Sequence, residues 1–123
     1  MKKTAWTGRI KNQMQEVGTY KPAFDAAIIT LAGILEQRDA AFDDYVASGG
    51  NPCFEHVGDR GARNIKKNPR LQVWMDLNTQ ALAYWRDMGL TPAGLKKLNE
   101  AAMKEQKKGS ALEEALRGFG DGA

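Results

Sequence analysis

The chain has 123 residues, of which 42% are hydrophobic and 27% charged, with a formal net charge of +3. That length makes one domain, which as a monomer would bury only about two-thirds of its unfolded surface, and the composition excludes a disordered chain. The charge excess is too small to argue for nucleic acid by itself, so the placement of the cations must carry any such claim.

The start, MKKTAWTGRIKN, has two lysines but no apolar run that would form a signal-peptide core, and the single Cys53 leaves no internal disulfide. No stretch approaches the roughly 20 apolar residues of a membrane span. The expectation is an intracellular protein without a transmembrane segment.

Thr4 to Val17 shows helical periodicity through Trp6, Ile10, Met14 and Val17, with Lys2, Lys3, Arg9 and Lys11 clustered before Glu16. This predicts a short basic helix, ended by Gly18, as an N-terminal unit over residues 1–19. Such a helix can lie on phosphate, or its charge can be a solvated face.

Lys21-Pro22 opens the longest expected element, a helix reaching about Ser48 before Gly49-Gly50 and roughly 40 Å long. Phe24, Ile28, Leu31, Leu35, Arg38, Phe42 and Tyr45 follow each other at alternating spacings of four and three, a heptad seam with one polar member. Arg38 either pairs with an acid or snorkels at the edge of the seam. A helix of this kind needs a long partner, and the helix from Pro69 supplies one, giving an antiparallel helical hairpin.

Residues 49–68, GGNPCFEHVGDRGARNIKKN, have no helical pattern and are too long for a structureless loop in a compact domain. Cys53 to Val57 and Ala62 to Lys66 read as two short strands around Gly58-Asp59-Arg60-Gly61. Arg60, Arg63, Lys66, Lys67 and Arg70 then form the densest positive stretch in the chain, with no acid among them. Contact with phosphate and a solvated loop are both open readings of it.

Asn68-Pro69 is an N-cap followed by proline at the first helical position, and Gly89 is the residue that turns left-handed past the next helix end. Between them Leu71, Val73, Trp74, Met75, Leu77, Ala81, Leu82, Tyr84, Trp85 and Met88 spread over an arc of roughly 200°, wider than packing on one core requires. The helix is either buried by its own chain or touches both its own fold and a neighbouring subunit. We take the second reading, which makes Leu71, Trp74, Leu77, Ala81, Tyr84, Trp85 and Met88 the expected oligomer interface. Asn78 lies inside the arc and needs a partner if buried.

Thr91-Pro92 repeats the cap-plus-proline signature and starts a helix with Leu95 and Leu98 on one face and Lys96 and Lys97 beside them. Gly109 is expected to break that helix, and the capping box Ser110-Ala111-Leu112-Glu113 to start a short amphipathic one carrying Leu112, Leu116 and Phe119. The expected organisation is therefore a basic N-terminal helix, a helical core and oligomerisation unit over 20–108 with its basic loop at 49–68, and a C-terminal helix and tail over 109–123. The fold class is mainly α.

Little here suggests catalysis. Cys53 and His56 are too few for zinc and, three apart on a strand, point to opposite faces. Asp39, Asp43 and Asp44 read as solvated surface, and GDRG lacks the lysine and hydroxyl residue of a phosphate-binding loop. No cofactor or metal is expected.

The run TYKPAFDAAIITLAGILEQRDAAFDDY, the glycine-rich basic loop reaching KNP, and RLQVWMDLNTQALAYWRDMGLTPAGLKKL together resemble the small subunit of bacteriophage terminase. The Asn68-Pro69 helix start and the Gly89-Leu90-Thr91-Pro92 stop carry the resemblance jointly, because their separation fixes the helix between them. Where members commonly have arginine after that stop, this chain has Gly94-Leu95-Lys96-Lys97.

The resemblance implies a non-enzymatic oligomer, typically a ring, that binds viral double-stranded DNA. It brings that DNA to the large terminase subunit, an ATPase and nuclease, for packaging into the procapsid in the cytoplasm of the infected bacterial host; it is not expected in the mature virion. On that reading Arg60, Arg63, Lys66, Lys67 and Arg70, helped by Lys2, Lys3, Arg9 and Lys11, hold the DNA backbone, with Lys96 and Lys97 second in rank. Leu112, Leu116 and Phe119 dock the large subunit or close the ring. The alternatives are a dimeric helical regulator inserting Thr91 to Lys107 into a groove, and a helical scaffold that binds only protein.

Overall fold

A computed structural model describes the backbone of residues 1–121 and the side chains of residues 1–118. Helix α1 spans Lys3–Val17, a single 3-10 turn Pro22–Phe24 leads into α2 at Asp25–Ala47, and strands β1 (Cys53–Val57) and β2 (Arg63–Lys67) follow. Helices α3 (Pro69–Asp87) and α4 (Pro92–Asp121) are the last described elements. The fold is mainly α, with a small antiparallel β-hairpin between α2 and α3 as the sequence predicts; β2 begins and ends one residue later than expected.

The seam of α2 is the spine. Ile28, Leu31, Ala32 and Leu35 are buried against Ala81 and Met88 of α3 and against Ile10 and Met14 of α1. The N-terminal helix is thus a third member of the core rather than an accessory to a two-helix hairpin. Trp6 meets Trp85 edge-on with ring centroids 6.4 Å apart, and Phe42 meets Trp74 at 5.5 Å.

Arg38 resolves the polar position in the seam. Its guanidinium donates to Asn78 Oδ1 and to Asp39 Oδ1, each at 3.2 Å, and lies 5.5 Å from the ring centroid of Trp6. One side chain therefore ties all three helices together and gives Asn78 the partner it requires. Burial works against ionisation of Asp39, but hydrogen bonds from the chain's terminal ammonium, the Trp6 indole and Arg38 outweigh it and hold the carboxyl below the usual carboxylate range.

The helix ends follow their sequence signals. Asn68 accepts from the backbone N–H of Arg70 at 3.1 Å with Pro69 behind it, and its own amide donates to the Asn51 carbonyl at 2.8 Å, pinning the foot of the hairpin. Gly89, at φ 74°, lets Leu90 N–H return to the Trp85 carbonyl at 2.8 Å. Thr91 Oγ1 then accepts from Gly94 N–H at 3.1 Å to start α4. The corner is so tight that a Cβ on Gly94 would collide with the Arg86 carbonyl oxygen.

Two expectations are corrected. Gly109 does not break the last helix: α4 runs through it for 30 residues, and the Ser110 to Glu113 box lies in its interior rather than at a start. A single interior glycine costs only about 1 kcal/mol relative to alanine, and apart from Ser110 the residues around it from 104 to 116 are Ala, Leu, Lys, Glu and Gln, strong helix formers with no proline among them. The expected boundary between residues 108 and 109 thus falls inside a helix. For the same reason α4, not the 23-residue α2, is the longest element.

Candidate nucleic-acid interface

The hairpin stands off the helical body, and all ten of its strand residues are exposed. Its turn is closed by Gly58 N–H to the Ala62 carbonyl and Gly61 N–H to the Gly58 carbonyl, both at 2.9 Å, with Gly61 at φ 73°. Pairing sets Phe54 opposite Lys66, Glu55 opposite Ile65 and Val57 opposite Arg63. Since side chains alternate across a strand, Lys67, Arg63, Ile65 and Val57 share one face, while Lys66, Asn64, Phe54 and His56 share the other. Cys53 and His56 are accordingly on opposite faces.

The five cations from Arg60 to Arg70 are not equivalent. Arg63 Nε lies 3.6 Å from Glu55 Oε1 on the same face, and Arg70 Nε makes a 3.0 Å ion pair with Asp44 Oδ2 that ties the start of α3 to the end of α2. Arg60 at the tip and Lys66 and Lys67 at the foot have no ion-pair partner among the described residues. These three offer uncompensated charge on both faces and the tip of one projection, a shape and charge suited to a groove flanked by phosphates.

The other expected DNA contacts lie elsewhere. Lys11 faces its own fold, with its ammonium 5.2 Å from the Tyr20 ring centroid and 3.9 Å from Asp25 Oδ1. A hydrogen bond with Tyr20 and then the charge of Asp25 raise its pKa. Arg9 packs over Trp6 at 5.5 Å. Lys2 and Lys3 are exposed where α1 begins, beside the middle of α2, to which Lys3 N–H donates through Glu36. Lys96 and Lys97 are exposed on the first turns of α4, separated from the hairpin by the whole length of α3, about 28 Å. The predicted cations thus form three groups rather than one patch, and the hairpin group is the densest.

The expected oligomer-interface residues are also divided. Ala81 and Met88, 1% and 7% exposed, belong to the chain's own core. Leu71, Trp74, Leu77, Tyr84 and Trp85 are half-buried, and Trp74 and Trp85 join Met75, Asn78, Thr79 and Leu82 in lining an open groove along α3. Met75 and Leu82, at 45% and 48% exposure, are the surface-facing apolar members of that groove, and Val73 of the same predicted arc is exposed outside it; none of the three is among the expected interface residues.

Leu112 and Leu116 are each 62% exposed on the outer part of α4, while the side chain of Phe119 lies outside the described residues. The apolar exposure of the hairpin, with Ile65 at 80%, was missed as well; its only signal was the alternation of Ile65 with the basic residues.

Among the described residues no helix is long and apolar enough to cross a membrane, and no three His, Cys, Asp or Glu side chains gather as metal ligands. No curated protein and no solved structure matches the chain. A family model described as phage terminase, small subunit, matches residues 3–105, which take in α1, α2, the hairpin, α3 and the first half of α4. With that match over most of its length, the chain belongs to the phage terminase small subunit family, and its role lies in phage DNA packaging.

Proposed function

We propose that this protein binds viral double-stranded DNA through the β-hairpin and delivers it to the large terminase subunit, supplying no catalytic group of its own. The reading places it in the cytoplasm of the infected host, as a ring-forming oligomer. The observation that carries it is the pairing of the family match with a projecting hairpin whose Arg60, Lys66 and Lys67 lack counter-ions among the described residues.

Three free cations per subunit are a weak site alone, but repetition around a closed assembly multiplies the contacts on one DNA molecule without any new chemistry. Because the contacts are to the backbone, sequence preference comes from DNA shape and deformability and not from base-edge reading. Arg63 and Arg70 contribute after exchanging Glu55 and Asp44 for phosphate. The cations of α1, and Lys96 and Lys97, hold DNA only where it runs along the body.

The test is DNA affinity across a salt series for the wild-type protein and for Arg60→Ala/Lys66→Ala/Lys67→Ala. The logarithmic salt slope falls by about 0.9 for each phosphate contact removed per bound subunit, and affinity drops alike for unrelated sequences. An unchanged slope, or a loss confined to one DNA site, refutes the backbone assignment. An absence of salt-sensitive binding in the wild type would favour a protein-only scaffold.

A further inference from the structure

Two surfaces with exposed apolar side chains are left uncovered among the described residues. One is the α3 groove lined by Trp74, Met75, Leu82 and Trp85. The other is the outer arm of α4, where every described side chain beyond Leu98 is exposed. Along that arm Leu98, Ala102, Glu105, Gly109, Leu112 and Leu116 recur at spacings of four and three, a helical seam that carries an interior glycine and whose Leu112 and Leu116 are uncovered among the described residues. The tight corner at Gly89 and Gly94 starts α4 away from α3, so the arm does not fill the groove of its own copy.

We propose that the α4 arm of one copy lies in the α3 groove of a neighbouring copy, which rests on the oligomeric reading above and gives it a specific contact. Charge and spacing select this occupant. Lys104 and Lys108 lie one turn apart on a flank of the arm's seam, without an ion-pair partner among the described residues. Asp43, likewise without one, lines the continuation of the groove beside Trp74 and Asn78. Lys104 precedes Leu112 by eight residues and Trp74 precedes Leu82 by eight, about 12 Å in each helix. Laid parallel, the arm therefore sets Leu112 against Leu82 while Lys104 and Lys108 approach Asp43. The contact joins two different surfaces, which permits either reciprocal arm exchange in a two-fold pair or head-to-tail assembly. The arrangement proposed is head to tail, closing as a ring; cross-linked products that stop at the dimer overturn it in favour of reciprocal exchange.

Disulfide cross-linking tests it in the full chain with Cys53→Ser, which removes the exposed native thiol. Leu82→Cys combined with Leu112→Cys is expected to give a ladder of covalent dimers, trimers and larger species on mild oxidation, and each single cysteine variant none. A dimer from Leu112→Cys alone means arms pairing with each other and overturns the proposal, as does a dimer from Leu82→Cys alone or no product from any variant. Native mass spectrometry of the unoxidised proteins separates the two levels. An oligomer without a ladder overturns this contact and leaves the ring reading standing, whereas a monomer overturns both.

Discussion

Gly94 and Gly109 occupy the same helix, and replacing each by alanine should have opposite effects. On intrinsic propensity alone either change favours the helix by about 1 kcal/mol, because glycine surrenders more backbone freedom than alanine on folding. At Gly109 nothing lies within 4 Å of the new methyl, so the full gain is expected. At Gly94 the methyl meets the Arg86 carbonyl oxygen, with the Arg86 carbonyl carbon at 2.9 Å and Thr91 Oγ1 at 3.0 Å. Two of those three atoms are backbone, so no rotamer change relieves the clash. The α3–α4 corner must open instead, disturbing the Thr91 cap and the packing of Leu95 and Leu98 against Gly89. Overpacking of this kind costs about 1–3 kcal/mol, enough to overturn the propensity gain. Denaturant unfolding followed by far-UV circular dichroism reads the corner, and amide exchange along α4 reads the arm. Gly109→Ala should slow exchange in α4, while Gly94→Ala should lower the unfolding midpoint. A Gly94→Ala protein as stable as wild type would refute the reasoning, because it would mean that the corner is not held by that close approach.

Asn68→Ala removes both the α3 cap and the donor to Asn51, and should cost about 1–2 kcal/mol, read from urea midpoints. Asn68→Asp retains the cap and loses only the donor, so it should recover part of that loss. Asp39→Asn should flatten the acid side of the stability curve. The Asp39 carboxyl titrates below its unfolded value, so its contribution is complete above about pH 4 and disappears as pH falls through the folded pKa. Unfolding midpoints of the two proteins should therefore converge at the lowest pH and separate towards neutrality; a gap that persists at low pH would refute the assignment.

Where the sequence was informative, the signal was local and redundant. Asn68-Pro69 and Gly89 through Pro92 each combine a capping group, a fixed or left-handed φ and a change of hydrophobic phase, and the structure places helix ends at both. The seam of α2 was legible because period and burial agree through Ile28, Leu31 and Leu35. The continuity of α4 was not legible, since an interior glycine and a mid-helix Ser-x-x-Glu look the same in sequence as a stop and a start. The width of the apolar arc on α3 could not be apportioned either. Ala81 and Met88 face the core and Met75 and Leu82 the solvent, a division set chiefly by how α2 lies along α3, with Ile10 and Met14 of α1 completing the same core.

The same uncertainty affected the cations, because charge has no periodicity that assigns it a neighbour. Arg63, Arg70 and Lys11 each found a carboxylate made adjacent only by tertiary structure, from Glu55 across the hairpin, Asp44 at the end of α2 and Asp25 at its start. Two groups of cations without an ion-pair partner among the described residues flank α3, Arg60, Lys66 and Lys67 before it and Lys96, Lys97, Lys104 and Lys108 after it, while Lys2 and Lys3 form a third at the start of α1. On the proposed reading the first group meets DNA, while Lys104 and Lys108 of the second meet another copy of the chain. A separation of about 28 Å along α3 exceeds the Debye length of about 8 Å at physiological salt, so the two groups act independently. Neutralising the hairpin should then lower the salt slope of DNA binding without altering the mass of the assembly. Reversing Lys104 and Lys108 should instead lower the mass of the assembly, and with it the overall DNA affinity, while leaving the hairpin's own phosphate contacts in each subunit.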